Sequence, residues 1–192
     1  MISKILISFF VLCSNLIFAQ NAIPDSVFQK CNTAKESAFL SDDEKSVILY
    51  VNLVRHYPDL FLEKVVKPYA DSLKYKRSDK NVKSLLSDLS KAKPLKILVV
   101  DEKLYKIAKA FTQKQGKSGQ TSHNIKEKYL DGENLSFGYE TPLDIVMQLL
   151  IDENVPSLGH RRNILDPTYS TIAVSIGKHK RFSNICVMDF KR

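Results

Sequence analysis

The chain has no tryptophan, and only three cysteines, six glycines and seven prolines among its 192 residues. Three cysteines are too few for a small scaffold held together by dense disulfides. So little Gly and Pro excludes a collagen-like or low-complexity polymer, and no self-similarity recurs at the period of about 20–50 residues that marks a solenoid. Long apolar runs are missing too. The longest, Ile5 to Phe18, is well short of the roughly 20 residues a membrane-spanning helix needs. Acidic residues are in deficit, 21 Asp+Glu against 29 Lys+Arg, for a net charge of +8. What is present is 44% apolar and 26% charged, the composition of one globular domain able to bury a core.

Several catalytic signatures are absent. Gly116-Lys117-Ser118 resembles the end of a phosphate loop, but the required earlier glycine is replaced by Phe111. There is no G-x-S-x-G, H-E-x-x-H or C-x-x-C, which argues against α/β-hydrolases, zincins and thiol redox motifs.

The first residues read as an address. Lys4 precedes the apolar run, and Ala19 supplies a small residue at a cleavage point, so residues 1–19 are expected to be a signal peptide and the mature chain to begin at Gln20. A secreted or periplasmic protein with no membrane span after cleavage follows. Leu12 before Cys13 is too large for a lipoprotein anchor. Cys31 and Cys186 then remain in an oxidising compartment. They form either a disulfide worth about 3–5 kcal/mol or two separate buried thiols.

Residues 20–41 carry little periodicity and read as an N-terminal lead-in to a domain over 42–192. Val47, Ile48, Val51 and Val54 share one helical face, with Asp42 or Asp43 as the expected cap. A second short helix is expected after Pro58, and another over residues 81–92. Asp101 opens the clearest helix, with Leu104, Ile107, Ala108 and Phe111 at i, i+3, i+4 and i+7, ending at Gly116. Thr141-Pro142 predicts a helix start, and a short helix is expected around Gly159 to Leu165. Thr171 to Ile176 and Asn184 to Phe190 read as strands of a hairpin. Helices followed by short antiparallel strands define an α+β class.

Two histidines stand out. His123 lies in Thr121-Ser122-His123-Asn124 with Glu133 ten residues on, and His160 follows Asp152-Glu153. Two imidazoles and two carboxylates can hold a divalent ion or relay protons near neutral pH. The remaining histidines, His56 and His179, are expected to have no such role. Between Glu63 and Lys96 there are ten Lys/Arg and four Asp/Glu, a segment attractive to an anionic envelope polymer. With only Tyr69 and Tyr75 interleaved, it is a poor stacking platform for nucleic acid.

The string His123…Gly132-Glu133-Asn134-Leu135-Ser136…Gly159-His160-Arg161-Arg162-Asn163-Ile164-Leu165 resembles the CAP superfamily, which includes cysteine-rich secretory proteins, antigen 5, plant pathogenesis-related proteins and bacterial SCP-like proteins. Asn52-x-x-Arg55, Pro58-x-x-Phe61 and the closing Asp189-Phe190 support the likeness. The resemblance implies a three-layer α-β-α sandwich with a small antiparallel sheet. Its cleft would hold two His and two acids that bind a divalent metal, Zn or Mg. His123, Glu133 and His160 match three of those positions, and Asp152 is the expected fourth, with Glu153 in reserve. Gly132 is expected to make a tight turn that aims Glu133 inward, and Arg161 to lie on a solvated face or pair with a cleft carboxylate. The implied function is a binding or interaction module at the cell envelope, with a metal-assisted hydrolase of peptide, nucleic acid or cell-wall substrate as the alternative.

Overall fold

A computed structural model describes residues 23–72, 79–124 and 126–192. The expected signal peptide and the middle of the basic segment lie outside the described residues. The elements, in chain order, are α1 (Asp25–Cys31), α2 (Asp42–His56), α3 (Pro58–Phe61), a π-helical turn (Leu62–Val66), α4 (Lys67–Ser72), α5 (Lys80–Leu89), β1 (Val99–Val100), α6 (Glu102–Ser118), β2 (Gly132–Phe137), α7 (Pro142–Ile151), α8 (Gly159–Ile164), β3 (Thr171–His179) and β4 (Ser183–Lys191).

One four-stranded sheet runs in the order β1-β3-β4-β2. β3 and β4 form an antiparallel hairpin, β2 lies antiparallel to β4, and β1 pairs in parallel with β3. Ile172 to Ser175 and Ile185 to Phe190 are buried without alternation, so both faces of the sheet are covered. Helix α6 packs on β3 and β4, while α2 contacts β3 and α7, and α7 and α8 contact β2. The result is an α+β sandwich of helix, sheet and helix.

Local chemistry explains the helix boundaries. Ser41, rather than Asp42 or Asp43, caps α2: its hydroxyl accepts from Glu44 N at 3.3 Å, while the Glu44 carboxylate accepts from Ser41 N at 2.8 Å. A reciprocal pair satisfies two free N–H groups where a lone aspartate satisfies one. Helix α6 runs two residues past Gly116 and ends on Gly119, which takes the left-handed conformation (φ 72°). Thr141 and Pro142 open α7 as expected.

Three further features take their form from the packed structure. The lead-in contains α1, and Ile23, Cys31, Ala34 and Leu40 belong to the core. Seven residues with one buried side chain give too short a pattern to read as periodic. Cys31 and Cys186 are free buried thiols and not a disulfide. Burial pushes both thiols up, Cys31 to about 11. Gly132 is needed for close packing, not for a turn: its φ is not positive, and a Cβ there would overlap the Tyr169 hydroxyl.

Two buried polar side chains on α2 join the layers. Asn52 accepts from Leu98 N at 2.7 Å and donates to the Cys31 and Leu98 carbonyls. Arg55 donates to the carbonyls of Ile164 and Asp166, both at 2.8 Å, and to that of Lys96. Burial lowers its guanidinium to about 10, yet five N–H donors in a planar fork suit it to collect several carbonyls. The C-terminal end of α8, and with it one half of the site below, is thereby tied to α2.

Candidate functional site

His123 lies in the loop after α6. Gln115, buried on α6, donates to the Ser122 carbonyl at 2.6 Å and ties that loop to the end of the helix. The His123 Nδ1 meets Glu133 Oε1 at 2.7 Å, and Asn124 N donates to the same oxygen at 2.9 Å. Glu133 is buried at the start of edge strand β2, whereas the His123 side chain is half exposed. The hydrogen bond to Glu133 raises the His123 pKa, with partial burial opposing it.

His160 is built the same way from different elements. Its Nδ1 meets Asp152 Oδ1 at 2.7 Å, and its backbone N–H donates to Oδ2 at 2.9 Å. Asp152 is the left-handed residue that ends α7 (φ 56°) and is fully buried. Asn154 and Leu158 also have positive φ. For a leucine that conformation is strained, and three such residues within seven make the α7–α8 connection a costly segment of the kind found at functional sites. Glu153, the reserve candidate, is exposed and makes no contact with His160.

Arg161 departs from both expectations. It is buried rather than solvated, and its side chain pairs with Asp88 at 2.8 Å rather than with a cleft carboxylate. Its remaining N–H groups serve the Leu150 and Ile151 carbonyls at the end of α7 and the Asn81 carbonyl of α5. Asn81 in turn donates to the Asp152 carbonyl at 2.8 Å. Asp152 is therefore positioned through a buried cation that satisfies the open carbonyls of the helix it terminates.

The two histidine–carboxylate pairs meet through β2. Asn134, next to Glu133, donates to the His160 carbonyl at 3.0 Å, and Asn163 of α8 donates to Asn134 Oδ1 at 2.8 Å. Alternation along the strand sends Glu133 towards His123 and Asn134 towards α8. His123, Glu133, Asp152 and His160 are thus assembled as two linked pairs. Among the described residues, no group of three or more His, Cys, Asp and Glu is placed to hold a metal ion.

Asp189 is a member of this region that its sequence context did not assign. In register it faces Glu133 on β2 and Ala173 on β3. It is fully buried, and neither of its oxygens nor Glu133 Oε2 has a hydrogen-bond partner. Burial, then the charges of Glu133 and Glu127, pushes its carboxyl up to about 8. The available signal was an aspartate interrupting the apolar run Ile185-Cys186-Val187-Met188 before Phe190.

The helix–sheet–helix layers thus carry two His–acid pairs joined through β2. Residues 49–190 match the model of the CAP family, the cysteine-rich secretory protein family, and the chain belongs to that family. No curated protein matches it. No helix among the described residues is long and apolar enough to cross a membrane.

Proposed function

We propose that this protein is a secreted CAP-domain binding module whose cleft takes a divalent cation through His123 and His160. The observation that carries this reading is the shared geometry of the two pairs. Each imidazole offers Nδ1 to a buried carboxylate at 2.7 Å, which assigns the proton to Nδ1 and leaves Nε2 as the coordinating atom. That is how metal-binding histidines are commonly oriented by their outer neighbours. Glu133 and Asp152 then act as orienting groups. Of the two ions the resemblance implies, zinc suits an imidazole pair, while magnesium favours oxygen donors.

Both carboxylates are already engaged by histidine, which favours a binding module over a hydrolase in which Glu133 or Asp152 serves as general base. Export draws support from Lys4, the run Ile5 to Phe18 and Ala19. Contact with an anionic envelope polymer through residues 63–96 is part of the same reading and draws on the excess of lysine there. The test is a zinc titration of the mature protein and of the His123→Ala/His160→Ala variant. Binding lost in the variant supports the reading, and equal affinity overturns it. Metal-supplemented assays on casein, nucleic acid and peptidoglycan then separate a module from an enzyme.

A further inference from the structure

A second cavity lies elsewhere. It holds about 860 Å³ between α6 and the end of the β3–β4 hairpin, and none of His123, Glu133, Asp152 or His160 lines it. Such a volume falls in the range of about 300–1,000 Å³ typical of small-molecule sites. One wall is a single stripe of α6, Tyr105, Lys109, Gln113 and Lys117, each four residues from the next. The facing wall is Ile176 and Lys178, alternate positions of β3, followed by Lys180 in the turn.

Two close backbone contacts hold these walls together. Lys180 N donates to the Gly116 carbonyl at 3.0 Å, and a Cβ at Gly116 would overlap the Lys178 carbonyl oxygen. Glycine at 116 therefore lets the hairpin lie against the helix and brings the four lysines around one opening.

The charge of that opening is positive and uncompensated. Lys109, Lys117, Lys178 and Lys180 form no ion pair among the described residues. The lone lining carboxylate, Glu44, is buried and spent on Ser41 N and Ile176 N. His179 adds no charge: Arg181 N donates to its Nδ1, so Nε2 carries the proton given to the Gln120 carbonyl. At the other end, the rings of Phe39 and Tyr105 lie 5.1 Å apart between centroids and give an apolar, aromatic floor.

We infer that this cavity is a second binding site, for a small organic phosphate with two or more negative charges and a planar or apolar group. The lysines act as mobile point charges for the phosphates, Ser41, Ser175 and Ser183 offer hydroxyl donors, and the aromatic floor takes the organic part. Binding weakens with rising salt, because the cationic groups are exposed.

The experiment is calorimetric titration of the mature protein with adenosine 5′-diphosphate, pyrophosphate and adenosine, with amide chemical shifts to locate binding. The diphosphate is expected to bind more tightly than pyrophosphate, and adenosine not to bind. Lys109→Ser/Lys178→Ser should weaken diphosphate binding by about tenfold or more, as expected for two lost charge-assisted contacts. Both substitutions are at exposed positions, and an unchanged melting temperature confirms that the variant is folded. His123→Ala/His160→Ala should leave the affinity unchanged, so this test is separate from that of the metal. Equal diphosphate affinity in the lysine variant and the parent, no binding of either anion, or shifts confined to the His–acid cleft overturns the inference.

Discussion

Asp189 stands directly opposite Glu133 in the β2–β4 ladder, and three of their four carboxylate oxygens are buried without a hydrogen-bond partner. Two adjacent buried carboxylates cannot both ionise cheaply, so Asp189 keeps its proton up to a pKa of about 8. Unfolded, it loses that proton near pH 4, at about 3.9. Between these values the folded state holds the extra proton, and its contribution to stability falls as pH rises. Asp189→Asn removes the titration and supplies an amide donor opposite Glu133. Urea denaturation at pH 4, 6 and 8 should show the variant gaining on the parent with each step. A difference that does not vary with pH contradicts this.

His123 shows a dependence of the same sign from a different cause. Its pKa is raised, chiefly by the hydrogen bond to Glu133. The pair's contribution to stability is complete below the ordinary imidazole value and is lost as pH rises through the raised one. Glu133→Gln should bring the His123 titration, followed by its ring proton shifts, down towards the ordinary value. An unchanged His123 titration would mean the two groups are not coupled.

Arg161→Ala should be severe although its side chain faces away from both histidines, towards α5 and the end of α7. It strips Asp88 of its partner and leaves the Leu150 and Ile151 carbonyls without their donor. Asp88 is half exposed and can turn to water, so the cost comes chiefly from the buried carbonyls, at about 1–3 kcal/mol for each one left without a partner. Denaturant midpoints measure the loss, and a change below about 1 kcal/mol, the worth of a surface pair, contradicts the buried network.

Gly132→Ala should destabilise by about 1–3 kcal/mol, the usual result of overpacking, because the added methyl meets the Tyr169 hydroxyl. Tyr169→Phe in the same chain removes the clashing oxygen and should recover part of the loss. Since the Gly132 backbone is not left-handed, failure of this rescue would show that strain, not space, sets the requirement.

Much of this architecture was legible in the residues. The α6 stripe, the Thr141-Pro142 start and the terminal hairpin follow from local periodicity and capping, which act within a few residues. The site was legible as candidates. His123, Glu133, Asp152 and His160 were drawn from patterned surroundings and a family likeness, and the fold brings them into two linked pairs. What was hidden depended on distant partners. Arg161 looked like one of two solvated arginines because Asp88 and Asn81 lie more than 70 residues away. Asp189 looked like an ordinary strand residue until the register set it against Glu133. The parity of Cys31 and Cys186 left a disulfide and two separate thiols both open, and the packing of distant segments decided for the thiols. Gly132 read as a turn residue because Tyr169 was not yet its neighbour.

The central claim is that each cleft histidine is held at Nδ1 by a carboxylate and coordinates metal through Nε2. Its most direct test is nitrogen-resolved NMR of the two imidazoles during a zinc titration at pH 8. Nε2 of both His123 and His160 should shift on binding while Nδ1 stays protonated, and the same titration at pH 6 should be weaker because protonated imidazole cannot ligate. Imidazole signals that do not move when zinc is added, or zinc bound at Nδ1 with loss of its proton, would contradict it.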